Sequence, residues 1–351
     1  MDSIHIDGSH GEGGGQVLRT SLSMAALLGC ELSLTNIRAG REKPGLAAQH
    51  VTCVRAAAAI CGAEVSGDQT GSGTLHFIPG PLRAGEYTFD VADVKPSAGS
   101  VSLVLQTVLP PLLFAGAASR LTLRGGTNVP WSPCFEYIQG AFVPAIRRMG
   151  VECTVARTRG GWYPRGGGEV TAQFAPLAGK LSRLDLHDRG PLTRLEAIST
   201  ISRDLPDHIA SRQLNASLLP LPHEISRLAR RQTERPTGGP GTCLALVAEY
   251  ESGHAGFTSL GERGKPAEQV GDEAAQGLVG FLQGDAAVDV HLADQLLLYA
   301  ALAEGESTLL AESRSLHLET NAWVIEQFLG RRVALVGNEP VRVDVEGVGL
   351  G

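Results

Sequence analysis

Apolar positions recur along the chain at two spacings. Ile4–Asp7 alternates as a short strand. QVLRTSLSMAALLG, 16–29, then carries apolar residues at i, i+3, i+4 and i+7 and closes on glycine, which predicts a helix. Strand ELSLTNI, loop RAGREKPG, helix LAAQHVTCVRAAAAICG and strands at AEVSG and TLHFIPG complete a unit. The order returns from YTFDVAD to GEVTAQFAP, with helices VSLVLQTVLPPLLFAG and CFEYIQGAFVPAIRRMG. It returns in shorter form from AAVDVHL onward, with helices ADQLLLYAALAEG and TNAWVIEQFLG. The pattern predicts three β-α-β-α-β-β units over about 1–82, 83–182 and 285–351.

The stretch 183–284 stands outside this repeat. It begins with strand-like RLDLHD, has strands at TCLALVAEYES and HAGFTSLGE, and ends in the helix GDEAAQGLVGFLQG, with RPTGGPG (235–241) as an internal loop. We read it as a small α/β domain inserted before the third unit, leaving 1–182 and 285–351 as a large catalytic domain. The fold class expected is α/β (α+β). VSLVLQTVLPPLLFA has almost no polar face, so such helices need burial on all sides, as three units packed around a common axis would provide.

Composition adds exclusions. The chain has 351 residues, enough for about two domains. No segment stays apolar for the ~18 residues of a membrane span. MDSIHIDGSH has neither the basic nor the apolar region of a signal peptide, so a soluble cytoplasmic protein is expected. The six cysteines form no C-x-x-C and sit mostly in apolar runs, which predicts buried reduced thiols and no cysteine zinc site. A net charge of −7 argues against a non-specific nucleic-acid coat. The cations are nearly all arginine, with lysine only at positions 43, 95, 180 and 265; a local arginine pocket for phosphate remains open.

Five stretches carry candidate chemistry. HGEGGGQVLR, 10–19, is neither a P-loop nor G-x-G-x-x-G. Its glycines allow close backbone approach and bare amides at a helix start, which suits an anion, although a tight structural turn would read the same. Glu12 is placed to hold a divalent metal brought by a triphosphate. Gln16 and Arg19 share one helix face. Arg38, Arg41 and Lys43 cluster between a strand and a helix, a spacing for phosphate or simply a solvated loop. His50 follows among apolar neighbours, where, taken alone, a satisfied core histidine is the commoner reading. KPSAGSVSLVLQ places Gln106 on an otherwise apolar helix. HLADQLLL puts Asp294 and Gln295 near a helix start. SLHLETN places His317 between a strand and a helix, with Thr320 and Asn321 as the helix start.

GEGGGQ-x-L-R, IRAGR-x-KPG, AGS-x-x-LVLQ, GGTN, HLADQL and LH-x-x-TN stand in one order along nearly the whole chain. Together they resemble the RNA 3′-terminal phosphate cyclase family. The resemblance implies three two-helix, four-stranded modules, as in the enolpyruvyl transferases, plus a small inserted domain. It implies that ATP adenylylates a histidine, that AMP passes to an RNA 3′-phosphate, and that the 2′-hydroxyl closes a 2′,3′-cyclic phosphate. The family's nucleophile then falls on His317 in LH-x-x-TN, not on His291 at the head of HLADQ. ATP-contacting positions fall on Gln106, Pro133 of WSP, His291, Asp294 and Gln295. Glu12 matches the metal position, for Mg²⁺ or Mn²⁺. Arg19, Arg38 and His50 match the phosphate site, with Gln16 and Arg41 beside them. A non-catalytic RNA-binding relative in ribosome biogenesis lacks the nucleophilic histidine, so His317 favours the active branch. An enolpyruvyl-type transferase would share the architecture but lack GEGGGQ and LH-x-x-TN.

Overall fold

The computed structural model describes residues 3–330 and 333–351. The first unit contains β1 (Ser3–Asp7), α1 (Gly15–Leu28), β2 (Glu31–Thr35), α2 (Ala48–Cys61), β3 (Glu64–Ser66) and β4 (Leu75–Ile78). Its sheet runs β1-β2-β4-β3, with only the β1–β2 pair parallel. The second contains β5 (Glu86–Asp90), α3 (Val101–Leu113), β6 (Ser119–Gly125), α4 (Phe135–Tyr137), α5 (Val143–Arg147), β7 (Cys153–Arg159) and β8 (Gly168–Phe174). Its order, β5-β6-β8-β7, repeats the first. The helix expected from Cys134 is not continuous: a π-helical turn, Ile138–Phe142, separates α4 from α5. Pro144 lacks the N–H that would bond the carbonyl one turn back, which favours the wider turn.

The third unit is assembled across the insert. β9 (Asp185–Leu186) precedes β10 (Leu192–Ile201), α6 (His208–Leu218), α7 (His223–Ser226), β11 (Ala229–Glu234), β12 (Thr242–Tyr250), β13 (His254–Leu260) and α8 (Ala267–Gln283). Then come α9 (Val290–Leu302), β14 (Glu304–Ala311), α10 (Leu316–Leu329), β15 (Val333–Gly337) and β16 (Val341–Val348). The third sheet runs β15-β16-β14-β9, the same topology once more, and β9 pairs parallel with Thr308 and Leu309 of β14. The RLDLHD stretch therefore belongs to the third unit and not to the insert. AAVDVHL forms no strand; Ala287 and Val288 only extend the same edge, both amides donating to the Leu310 carbonyl. The insert thus interrupts the third unit after its opening strand.

The insert has its own sheet, β11-β10-β12-β13, covered by the packed pair α6 and α8. Two large hydrophobic cores divide most of these elements, with a third small one at Cys134, Trp162 and Cys243. One runs from Ile6 to Leu186 and from Ala287 to Val345; the other runs from Leu195 to Ala286. We propose the two large cores as the two domains, with the boundary at the end of β9. In the large core α1 packs against α2, α3 and α10, so helices of all three units meet around it. α3 buries every residue except Gln106, as its lack of a polar face requires. At about 1.5–3 kcal/mol per large apolar side chain, this shared helical layer is the main cohesive term. All the cysteines but Cys30 are buried. Among the described residues no helix is long and apolar enough to cross a membrane.

Candidate active site

The glycine turn sits against α10. Gly11 has φ +59, and a Cβ there would collide with Thr320 Oγ1. Without one, the Glu12 amide donates to that hydroxyl at 2.9 Å. Gly15 begins α1, and a Cβ there would lie 2.5 Å from His50 Nε2 and 2.6 Å from Arg19 Nη1. The bare backbone is therefore where an imidazole and a guanidinium converge. Arg19 Nη2 donates to Gln16 Oε1 at 2.9 Å, so the two share a face. Burial lowers the Arg19 pKa from its usual value, yet a guanidinium remains charged at any physiological pH.

The arginine loop divides its cations. Arg38 holds left-handed backbone, φ +54, and its Nη1 donates to the carbonyls of Lys43 (2.9 Å) and Gly45 (2.7 Å). It fixes the loop while Nε and Nη2 have no partner among the described residues. Arg41 ion-pairs with the Glu12 carboxylate across the glycine turn. Lys43 makes no ion pair among the described residues and is exposed. His50 is buried, and its Nδ1 accepts from the Ala47 amide at 3.0 Å. Nε2 thus carries the proton, directed at Gly15. Burial, then Arg19 and Arg38, push the His50 pKa down to about 3, so it is a neutral donor.

The other wall comes from α9 and α10. Ser315 caps α10, its Oγ accepting from the Leu318 amide at 3.1 Å. The helix starts at Leu316, four residues before the Thr320 start expected, so His317 lies inside the first turn. His317 remains accessible to solvent. Partial desolvation, then Arg19, His291 and Arg41, hold its pKa below the usual value. Its imidazole stands at a helix N-terminus, with the charged form disfavoured. Asn321 donates from Nδ2 to the Asp294 carbonyl at 2.7 Å and accepts from Thr20 at 2.8 Å, tying α9, α10 and α1 together. Asp294 is buried, and desolvation raises its pKa to about 7 against the opposing charge of Arg19. His291 is exposed, with its ring edge-on to Tyr137 at 6.4 Å.

Three candidate residues carry buried polar atoms with no partner among the described residues: Glu12 Oε2, Gln106 Nε2 and Gln295 Oε1. One comes from each unit. Buried polar groups are normally paired, so these three atoms are available to a bound polar ligand. Glu12 is the acidic donor of the turn, and no cluster of three or more His, Cys, Asp or Glu among the described residues could hold a metal. That set fits a hard cation which brings its own phosphate and water oxygens, not one caged by protein. Pro133 is half-buried in the loop between β6 and α4.

Sequence reasoning missed Asp289. Its carboxylate caps α9, accepting from the His291 and Leu292 amides (both 3.0 Å), and also takes Tyr137 Oη (2.8 Å) and the Gly256 amide (3.1 Å). The signal was an Asp just before a periodic apolar run, a helix-start mark. Also missed was a buried network joining the second unit to the insert. Glu136 accepts from Asn128, from Arg157 at 2.5 Å and from Thr200 at 2.6 Å, while Arg157 also pairs with Glu234.

The fold is that of an α/β protein of three like units, and the glycine turn, Arg19 and His50 meet at the start of α1, with Thr320 of α10 against the turn. A family model described as RNA 3′-terminal phosphate cyclase matches residues 10–335. A protein of that name from Methylococcus capsulatus is 46% identical over 350 residues, covering 98% of this chain and 97% of the relative. Another from Nostoc punctiforme is 48% identical over 330 residues, covering 93% and 94%. A third, from Pyrobaculum aerophilum, is 40% identical over 356 residues, covering 99% of each. The chain belongs to the RNA 3′-terminal phosphate cyclase family. An EPSP synthase from Acinetobacter baumannii matches 99% of this chain and 65% of its own at 10% identity and a TM-score of 0.22, too low to bear on the fold.

Proposed function

We propose that this chain uses ATP to convert an RNA 3′-terminal phosphate into a 2′,3′-cyclic phosphodiester, with His317 as the covalent nucleophile. The observation that carries this is the position of His317, exposed in the first turn of α10 behind the Ser315 cap, where partial desolvation and then Arg19 disfavour its charged form. Family membership supplies the reaction class.

A nitrogen of the neutral imidazole attacks the α-phosphorus of ATP; a P–N bond forms, and the bond to the β-phosphate oxygen breaks, releasing pyrophosphate. A 3′-phosphate oxygen of the RNA then attacks the same phosphorus and displaces His317. The terminal 2′-hydroxyl attacks the 3′-phosphorus, loses its proton, and AMP leaves. Arg19, the free edge of Arg38 and the His50 Nε2–H supply fixed positive dipoles and charge to phosphate oxygens. Gln106, Asp294, Gln295, His291 and Pro133 are the nucleotide-contacting set. Asp294, with a pKa near 7, can exchange a carboxyl proton near neutral pH. A Mg²⁺ or Mn²⁺ ion carried in by the triphosphate and held at Glu12 Oε2 would offset charge on the non-bridging oxygens.

The test uses two short RNAs with a 3′-phosphate, one ending in a ribose and one in a 2′-deoxyribose. With ATP, the first becomes resistant to phosphatase. The second halts as an adenylylated end, because it lacks the attacking hydroxyl. Phosphatase-sensitive ends in both, with enzyme in excess, would reject the reaction.

A further inference from the structure

We propose that Trp131 and Tyr163 form a stacking platform for the last bases of the RNA acceptor. This rests on the reading that the acceptor is RNA, and adds where the strand lies.

Two loops carry the rings. The loop between β6 and α4 buries Val129 and Cys134 but leaves Trp131 98% exposed, its backbone left-handed at φ +65. A tryptophan held in that region is strained, and strain of this kind marks functional sites. Ser132 Oγ donates to the Val129 carbonyl at 3.1 Å and closes the turn that projects the ring. The loop between β7 and β8 buries Trp162 and leaves Tyr163 71% exposed.

The two loops are fixed to one another at their bases. The Thr127 and Asn128 amides donate to the Gly161 carbonyl at 2.9 and 3.1 Å, and the Gly161 amide returns a bond to Thr127 Oγ1 at 3.0 Å. Cys134, Trp162 and Cys243 share one small core beneath. The Gly160 amide also donates to Thr237 of the insert at 2.7 Å. The rings therefore project from a rigid base.

The surroundings fit a nucleic-acid strand. Neither loop, 126–134 or 160–167, contains an acidic residue. Arg165 is exposed beside Tyr163, and Lys95 is exposed in the turn on which Gly166 packs; neither pairs with a carboxylate among the described residues. Aromatic faces flanked by unpaired cations are the means by which proteins hold single strands. The platform also adjoins the site. Pro133 lies two residues from Trp131, and α4 then brings Tyr137 against His291. The half-buried Pro133, a proposed nucleotide contact, and the uncovered Trp131 thus lie on the same loop.

The test is the affinity of a fluorescein-labelled, single-stranded oligoribonucleotide with a 3′-phosphate, read by anisotropy, with adenylylation in the absence of RNA as second readout. Trp131→Gly removes the ring and accepts the left-handed backbone without strain; Tyr163→Ala removes the other ring. Each variant should bind about fivefold to a hundredfold more weakly, Trp131→Phe should recover part of the loss, and RNA-free adenylylation should be unchanged. Unchanged RNA affinity in both variants would overturn the platform. So would a loss of RNA-free adenylylation in Trp131→Gly, which would place the ring on the adenine. A wild-type protein that takes no label from ATP would instead sink the cyclase reading, and the affinities would still decide the platform.

Discussion

Asp294 and His50 are both buried beside Arg19, and burial displaces their titrations in opposite directions. Asp294 keeps its proton in the fold up to about pH 7, while an unfolded chain releases it near 3.8. Between those values the unfolded state binds fewer protons, so rising pH costs stability, and the cost levels off above 7. Asp294→Asn should therefore raise the melting temperature relative to wild type, with a stability gap that widens by of order 2 kcal/mol between pH 5 and 7. Melting curves across pH check this; a gap that narrows toward pH 7 would contradict it. His50 behaves conversely. Its pKa falls from 6.5 to about 3, so its contribution is present above 6.5 and is lost as pH falls toward 3. His50→Gln should flatten the acid side of the same stability profile. At this scale the pairing of Gln16 with Arg19 was legible, because helical spacing fixes it. The Glu12–Arg41 pair and the exposure of Trp131 were not, since they depend on which loops the fold brings together.

Among the elements, the start of α1 is the most demanding. Gly15→Ala is favourable to a helix by propensity, yet its Cβ would press on His50 Nε2 and Arg19 Nη1. Displacement of about 1 Å at such a site costs roughly a hundredfold in rate. We expect that loss in adenylylation with stability within about 1 kcal/mol of wild type. Equal losses of activity and stability would mean that the turn is only structural. Periodicity located the long helices of the three units and α8, where 3.6-residue patterning runs over ten or more positions, but it missed the 11-residue α6 of the insert. It misplaced β9 because two residues cannot show alternation, and their pairing with β14 spans the whole insert. It also missed the break at Ile138–Phe142, where the apolar pattern continues through a π turn.

For the whole molecule, the triplicate sheet order confirms that the repeat was readable from the chain, while the junction with the insert was not. That junction carries a buried charge network: Arg157 and Glu136 side chains are 3% and 1% exposed, with Glu234 of the insert completing the pair. Removing one member strands the other charges, so Arg157→Met should cost about 3–5 kcal/mol in urea unfolding. A cost under about 0.5 kcal/mol would show that the insert is held by other contacts. Covalent labelling asks directly whether His317 takes the AMP. The protein is incubated with α-phosphate-labelled ATP and Mg²⁺ or Mn²⁺, then denatured. Wild type should retain acid-labile AMP, as a histidine phosphoramidate requires, and His317→Ala should retain none while keeping its fold and its affinity for ATP. Label persisting in His317→Ala, or absent from wild type that still binds ATP, would rule out His317 as the nucleophile.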